Sequence, residues 1–293
     1  MRWTPGKRSN DLEDRRGMGT AGGGGGGMRG VGFGRMGLGG MVVLLILSLV
    51  FKQDFFSLAG SAVGSGPQAA GQANAPLQTT PQEEREVDFV SFVLDDVQST
   101  WARIFQAQGQ SWRNARLVLF RDATETACGF GESASGPFYC PGDQKVYIDL
   151  GFYEELQRRF GAPGDFAQAY VLAHEIGHHV QNLLGTDAQV RRMQQSNRGA
   201  ANALSVRLEL QADCYAGVWA NSTASRNILE SGDVEEGLGA AAAVGDDRLQ
   251  KMSTGRVNPD AFTHGSSRER VDWFRRGYQS GNPADCNTFQ GVG

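Results

Sequence analysis

The chain has 293 residues, of which 40% are hydrophobic and 20% are charged, a composition typical of a globular protein with a core of its own. Residues 1–56 hold 8 Lys/Arg and 4 Asp/Glu, whereas residues 57–293 hold 20 and 28, so the formal net charge of −4 divides unevenly. Because the acidic part shows no basic stripe, the composition argues against nucleic acid as a partner.

Residues 1–35 are predicted to be a disordered, basic and Gly-rich cytoplasmic segment. They carry seven Lys/Arg, and glycine makes up 14 of the 24 residues 17–40, including the run GGGGGG. Glycine runs neither hold a helix nor fill a core.

Residues 36–56 are predicted to be a single transmembrane helix. The stretch MGLGGMVVLLILSLVF is uncharged, and a snorkelling Lys52 with two nearby phenylalanines extends it toward the roughly 20 residues that a spanning helix needs. Since the basic flank precedes it, the positive-inside rule predicts a single-pass membrane protein with a cytoplasmic N-terminus and an extracytoplasmic domain, periplasmic or extracellular. A signal peptide cleaved near 57–62, which would release a secreted protein, is the alternative.

Residues 57–82 are uncharged and rich in Gly, Ala, Gln and Pro, which predicts a flexible linker, and residues 83–293 are predicted to be the folded domain. Hydrophobic spacing in this domain predicts a helix at 87–109, strands at 116–120 and 145–153, and helices at 152–160, 165–184, 186–197 and 202–221, with most of 223–281 helical. Asp165 is expected to cap the helix at 165–184 and Gly185 to end it. The predicted fold class is α+β, mostly helical with a small β-sheet.

Three of the four histidines lie in AHEIGHHV, residues 173–180. On a helix, His174 and His178 are four residues apart and share one face, so their imidazoles can hold one zinc ion. Glu175 lies beside that face, where a general base toward an attacking water would stand, and the HExxH spacing is that of zinc peptidases. His179 is turned away by about 100° and is interpreted as structural.

A third ligand is predicted on the helix at 202–221. Glu209 and Asp213 are four residues apart on it, and the apolar residues around them argue against a solvated face. Glu209 could complete a His₂Glu site, and Asp213 could accept the free ring N–H of His174.

The sequence HEIGHH followed by ELQADCYAGVWA resembles the neutral zinc metallopeptidases of bacterial membrane proteins. The likeness extends to MRWTPGKRSNDLEDRRG, CGFGESASGPFYCPGDQKVYIDLGFY and THGSSRERVDWFRRGY, and so to nearly the whole chain. It implies a zincin-like fold, a zinc ion and activity on peptide or protein substrates. It names no substrate.

The HExxH and Glu-x-x-x-Asp pair is also similar to the wider gluzincin peptidases. That similarity implies His174, His178 and Glu209 as zinc ligands, Glu175 as the base and Asp213 as their support. Membrane-bound gluzincins share a His-x5-Arg pattern, matched here by His264 and Arg270, but Gly265 stands where those enzymes commonly have proline. We predict His264, or secondarily Tyr215, as the donor that stabilises the oxyanion.

The four cysteines allow three pairings. Cys128 and Cys140 bracket a short loop rich in Gly and Ser, which a disulfide closes easily, and this leaves Cys214 and Cys286 as a second candidate pair. Free thiols are the alternative for each pair, and a cysteine zinc site is not expected because no CxxC occurs.

These features predict a membrane-anchored zinc metalloendopeptidase that hydrolyses peptide bonds. The strand at 145–153 is either the edge strand that pairs with an extended substrate or an interior strand. A zinc-stabilised, catalytically silent interaction domain is the alternative function. Glu175 favours the enzyme, because a coordinatively closed structural site has no use for it.

Overall fold

In the computed structural model, residues 1–18, 77–133 and 136–290 are described. Their strands are β1 (Leu12–Asp14), β2 (Arg116–Phe120), β3 (Ala123–Thr126), β4 (Gly129–Glu132), β5 (Phe138–Cys140) and β6 (Lys145–Asp149). Their α-helices are α1 (Pro81–Ala107), α2 (Gly151–Arg158), α3 (Asp165–Leu184), α4 (Thr186–Ser196), α5 (Ala201–Ser225), α6 (Asp233–Ala243), α7 (Asp246–Thr254) and α8 (Ser267–Ser280). The predicted α+β class with a helical majority agrees with this architecture.

The main sheet has the strand order β1-β2-β6-β5. Strands β1, β2 and β6 are parallel, β5 is antiparallel to β6, and β3 and β4 form a separate antiparallel pair. The strand predicted at 145–153 is therefore interior, and β5 is the edge strand on its side of the sheet. Strand β6, which is the strand predicted at 145–153, ends at Asp149, and α2 follows it directly.

The core lies between the sheet and the helices. Helix α3 runs at its centre, packed against α1, α5 and α6, and α8 lies along α5. Helix α3 has the predicted bounds and ends at Gly185, whose φ of 76° is the left-handed conformation common at helix ends. Asp165 does not cap it, however, because Gly164 occupies the capping position without a side-chain hydrogen bond.

Helix α1 begins six residues before its predicted start. The Thr80 side chain accepts a hydrogen bond from the backbone N–H of Glu83 at 3.1 Å, and Pro81 occupies the first turn, where its missing N–H costs nothing. These capping signals lie in the part of the chain predicted to be linker, so the linker prediction is wrong from Pro81 onward. Residues 57–76 lie outside the described residues.

Residues 1–18 belong to the folded domain, so the predicted disorder of residues 1–35 is wrong for them. Strand β1 pairs with β2 in the register Leu12↔Leu117. The buried guanidinium of Arg16 lies 3.0 Å from carboxylate oxygens of both Glu83 and Glu84. Residues 19–35 lie outside the described residues.

The predicted single transmembrane helix is not supported. Within the described ranges, no helix combines the length and the apolar character needed to cross a bilayer. Residues 36–56 themselves lie outside those ranges. Strand β1, which precedes that segment, pairs with β2, which follows it, whereas a single crossing between them would place the two strands on opposite sides of a membrane. The predicted localisation, with a cytoplasmic N-terminus and an extracytoplasmic domain, is therefore wrong.

Both predicted disulfides are present. Cys128–Cys140 joins the turn between β3 and β4 to β5, and Cys214–Cys286 joins α5 to the C-terminal segment. Both cysteines of the second pair are fully buried. The second bond therefore fixes the C-terminal segment against the helix that carries Glu209.

Candidate metal centre

Helix α3 places His174 and His178 one turn apart. Their rings meet edge to face, with 4.8 Å between the centroids. This spacing follows directly from the helical repeat, which brings residues i and i+4 to one face. The two side chains face α5 across the interior of the protein.

Glu209 on α5 completes a three-residue cluster. Its carboxylate oxygens lie 3.2 Å from Nε2 of His174 and 3.5 Å from Nε2 of His178. One candidate ligand atom from each residue lies within 4.8 Å of the others. Burial opposes ionisation of Glu209, but the two histidines outweigh it and hold the pKa of Glu209 well below its usual range. Two imidazole nitrogens and one carboxylate on one side of a cavity are a donor set that fits zinc and leaves a coordination position open.

Gly177 allows α5 to approach this closely. It lies between the two histidines in the sequence, and a methyl group at its position would lie 3.0 Å from the carbonyl oxygen of Ala212. Real Cβ atoms rarely come that close to backbone. The glycine in HEIGHH therefore has a packing reason, and the distance between α3 and Glu209 depends on it.

The Asp213 carboxylate holds the other side of His174. Nδ1 of His174 lies 2.8 Å from Oδ1, and the Tyr170 hydroxyl donates to the same oxygen at 2.5 Å. The pKa of His174 is raised to about 10, because Asp213 outweighs the opposing effect of burial. With its Nδ1 proton directed at Asp213, His174 presents Nε2 to Glu209 and to a metal.

Arg270 on α8 balances the charge of Asp213. Its Nε lies 2.8 Å from Oδ2 and its Nη2 lies 3.0 Å from Oδ1, and Asp213 has no exposed surface. Burial works against ionisation of Asp213, yet Arg270 and then His174 keep its pKa below the usual value. Asp213 thus contacts Arg270 as well as His174. The His-x5-Arg pattern includes Arg270, but the sequence alone assigned no role to it.

Glu175 is buried beside the two histidines and lines the same cavity. Burial raises the pKa of its carboxyl above the ordinary value, and His174 and His178 oppose that shift only in part. A carboxyl with a raised pKa in a cleft is a better proton acceptor than an exposed glutamate.

His264 lies on the loop before α8 and lines the cavity. Its Nδ1 is 3.2 Å from Asp246 Oδ1, while the backbone N–H groups of Thr263, His264 and Gly265 all donate to Oδ2 of Asp246. The hydrogen bond to Asp246 raises the pKa of His264, and burial opposes it. Half of the His264 side chain is exposed (51%), so it is open to a molecule in the cavity.

The replacement of proline by Gly265 has a structural explanation. Gly265 has a φ of 92°, which the proline ring cannot adopt, and its N–H donates to Asp246. The loop therefore has a backbone conformation that proline would prevent. In this conformation its backbone N–H groups point inward and donate to Asp246.

Two other predicted residues lie apart from the cluster. Tyr215 packs edge to face against Trp101 in the core and does not line the cavity, so it is not placed to contact a substrate. His179 accepts a hydrogen bond from the Tyr139 hydroxyl at 2.9 Å and donates to the carbonyl of Arg113 at 2.7 Å. Burial lowers the pKa of His179 and keeps it neutral, in line with its interpretation as structural.

The cluster opens into a cavity of about 1040 Å³. Several of the lining side chains are aromatic, and two of these come from β5. The lining includes Phe138, Tyr139, Phe152 and Phe160. A cavity of this size is at the upper end of the range of ligand pockets, about 300–1,000 Å³.

Sequence reasoning missed Tyr170 and Asp246. Tyr170 precedes His174 by four residues, so helical spacing was a signal that could have identified it as a neighbour on the same face. Asp246 precedes His264 by 18 residues across a helix and a loop, and no local pattern connects them.

A His–His–Glu cluster with His174 buried and the other two side chains half-buried, next to the buried carboxyl of Glu175 at a large cavity, is an arrangement typical of metal-dependent hydrolases. Over residues 1–289 the sequence matches one protein family, described as "Putative neutral zinc metallopeptidase", and the chain belongs to that family. The match confirms the resemblance noted from the sequence and includes residues 1–18.

Two relatives show how far the similarity extends. The chain is 47% identical over 290 residues to YpfJ of Escherichia coli (strain K12), which covers 99% of each protein. It is 50% identical over 184 residues to Rv2575 of Mycobacterium tuberculosis (strain ATCC 25618 / H37Rv), which covers 59% of this chain and 61% of the relative. Both relatives are described as uncharacterized proteins. No solved structure matches the chain significantly.

Proposed function

We propose that this protein is a zinc-dependent endopeptidase whose metal ligands are His174, His178 and Glu209. The observation that carries the proposal is the convergence of these three side chains within 4.8 Å, next to the buried carboxyl of Glu175 and at the cavity. Family membership supports zinc and peptidase chemistry. A zinc ion held there supplies a Lewis acid and an activated water.

Glu175 acts as the general base and then as the general acid. Its raised pKa suits it to take the proton of the attacking water and to return that proton to the leaving amine. Its burial keeps bulk water from competing for the same carboxylate.

His264 donates a hydrogen bond to the oxyanion that forms at the scissile carbonyl. Asp246 orients the ring through Nδ1, which leaves Nε2 as the donor toward the cavity. The raised pKa of His264 favours the protonated ring, and a protonated ring stabilises negative charge more strongly than a neutral one.

The substrate is an extended stretch of polypeptide that lies along β5. This strand is at the edge of the sheet, and two of its residues, Phe138 and Tyr139, line the cavity. An edge strand offers backbone groups that pair with an extended peptide whatever its side chains are. The hydrogen bond from Tyr139 to His179 holds this strand against the metal-site helix, and the disulfide at Cys140 joins it to the turn between β3 and β4.

The test compares the full-length protein with Glu175→Gln. Bound zinc is measured by elemental analysis, and cleavage is followed with unfolded casein. We expect both proteins to hold about one zinc ion per chain and the variant to lose about 10²–10⁴-fold in kcat. Glu154→Gln, on the outer face of α2 with 63% of its side chain exposed, is the matched control and should cleave like the wild type.

Zinc in both proteins with cleavage in neither would support the catalytically silent, zinc-stabilised domain instead. Wild-type protein that binds no zinc would overturn the metal site itself. Equal cleavage by wild type and Glu175→Gln would remove the base from the mechanism.

A further inference from the structure

A chain of hydrogen bonds leads from His178 to the C-terminal segment. We propose that Gln181 and Gln211 are positioning residues, which hold His178 in its metal-binding tautomer and anchor it to the backbone carbonyl of Cys286. The inference rests on the proposed function in one respect, the role of His178 as a metal ligand.

The first link is between His178 and Gln181. Nδ1 of His178 lies 2.8 Å from Oε1 of Gln181, which is three residues later on α3 and fully buried. Because an amide oxygen only accepts, Nδ1 of His178 carries the proton. Nε2 then keeps its lone pair and faces Glu209 at 3.5 Å.

The next links cross to α5 and beyond. Nε2 of Gln181 donates to the carbonyl of Leu208 at 2.7 Å and to Oε1 of Gln211 at 3.1 Å. Nε2 of Gln211 in turn donates to the carbonyl of Cys286 at 3.1 Å. Each side chain therefore uses its oxygen toward His178 and its nitrogen away from it.

The two backbone carbonyls fix this direction. The Leu208 and Cys286 oxygens can only accept, so each must face an amide nitrogen rather than an amide oxygen. If the Gln181 amide were turned over, two oxygens would face each other at Leu208, and His178 would lose its acceptor. The orientation of both amides, and with it the tautomer of His178, follows from groups that cannot change their role.

The far end of the chain is itself held in place. Cys286 is disulfide-bonded to Cys214, which lies one turn after Gln211 on α5. Arg207 donates to the carbonyl of Thr288 at 2.6 Å, and the Thr288 hydroxyl donates to the carbonyl of Arg207 at 2.7 Å. The C-terminal segment is therefore a fixed part of the support for the metal site.

The two histidines are supported by different chemistry. His174 donates to a carboxylate that an arginine balances, whereas His178 donates to a neutral amide. A neutral acceptor orients the ring without adding a charge beside the metal ligands. Removal of the amide should therefore disturb the orientation of the His178 ring, while the charge of the site stays the same.

The experiment uses full-length protein with Gln181→Met, which keeps the side-chain length but removes the acceptor and the donors. Zinc affinity is measured by competition with a chelator, and the geometry of the site is followed by the visible absorption of the Co²⁺-substituted protein. We expect zinc affinity to fall about 10–100-fold and the Co²⁺ bands to shift. Gln211→Met should lie between wild type and Gln181→Met, because Leu208 still holds the Gln181 amide.

Gln194→Met is the matched control. Gln194 on α4 is half-buried and, like Gln181 and Gln211, donates to a backbone carbonyl, that of Ala201, but it has no contact with the metal cluster. It should keep the affinity and the Co²⁺ spectrum of the wild type.

The outcomes separate this inference from the proposed function. Wild-type protein without zinc affinity would overturn both. Wild-type protein that binds zinc, with Gln181→Met and Gln211→Met equal to it in affinity and spectrum, would overturn the positioning role alone. If Gln181→Met does not fold, Gln211→Met, which does not touch His178, decides the question by the same two measurements.

Discussion

Arg270 and Asp213 form a doubly hydrogen-bonded ion pair in the interior, with Nε–Oδ2 and Nη2–Oδ1 distances of 2.8 and 3.0 Å. The pair joins α8 to α5 directly behind His174, whose Nδ1 shares the same carboxylate. Two fully enclosed charges are tolerated because each satisfies the other, so the loss of one leaves its partner buried and unpaired.

Arg270→Met should therefore destabilise the protein by about 3–5 kcal/mol. The measurement is urea unfolding of the metal-free protein, which keeps stability apart from metal binding. Arg268→Met, two residues earlier with 91% of its side chain exposed, should change stability by less than about 0.5 kcal/mol. Equal stability of the two variants would mean that Asp213 finds another partner.

Gly177→Ala should weaken zinc binding. The added methyl group would meet the Ala212 carbonyl at 3.0 Å, so α5 must move away by a few tenths of an ångström and take Glu209 with it. Chelator competition gives the affinity, and thermal unfolding gives the stability. The matched control is Gly239→Ala on α6, where a methyl group meets nothing within 4 Å, and it should stabilise the helix by about 0.5–1 kcal/mol. Unchanged zinc affinity in Gly177→Ala would show that the helices adjust without moving Glu209.

Asp246→Asn should shift the alkaline limb of the pH–kcat profile to lower pH. His264 is protonated below its pKa, and its hydrogen bond to Asp246 raises that pKa, so neutralising Asp246 lowers it again. A protonated donor is then lost at a lower pH, and activity falls earlier as pH rises. Asp247→Asn, which removes a carboxylate bonded to Ser267 and not to His264, should leave the limb in place. The same limb in all three proteins would exclude His264 titration as its cause.

Deletion of residues 1–76 should destabilise the domain, because it removes β1 from β2 and Arg16 from Glu83 and Glu84. Replacing only residues 19–76 by a Gly/Ser linker of about eight residues should preserve stability. Gly17 and Leu77 are close in space, since a methyl group at Gly17 would lie only 3.2 Å from Cβ of Leu77, so a short linker can join the two ends. Urea unfolding of the two shortened proteins against wild type tests both statements. A deletion as stable as wild type would show that β1 adds little to the fold.

Local patterns predicted most of the helices well, because these depend on short spacings. The bounds of α3 follow from apolar periodicity and Gly185, and helical spacing puts His174 and His178 on one face of α3, whereas the approach of Glu209 to His174 depends on the packing of α5 against α3. The three-residue strands β1 and β5 carry too few residues to show alternation.

The contacts that sequence reasoning missed are made between distant parts of the chain. Asp246 reaches His264 across a loop, and Gln211 reaches Cys286 across 75 residues. The basic, glycine-flanked composition of the first residues suggested disorder, yet Arg16 is buried by carboxylates on α1. Composition indicates how much conformational entropy a segment loses when it becomes ordered. It does not indicate which residues elsewhere in the chain can pair with that segment.

The pairing of β1 with β2 also constrains the order of events during synthesis. Leu12 leaves the ribosome 105 residues before its register partner Leu117. At ribosomal rates of about 5–20 residues per second, β1 is without that partner for roughly 5–20 s. Strand β1 is thus made well before the strand with which it pairs, and a chaperone or nascent-chain factor has that interval in which to bind it.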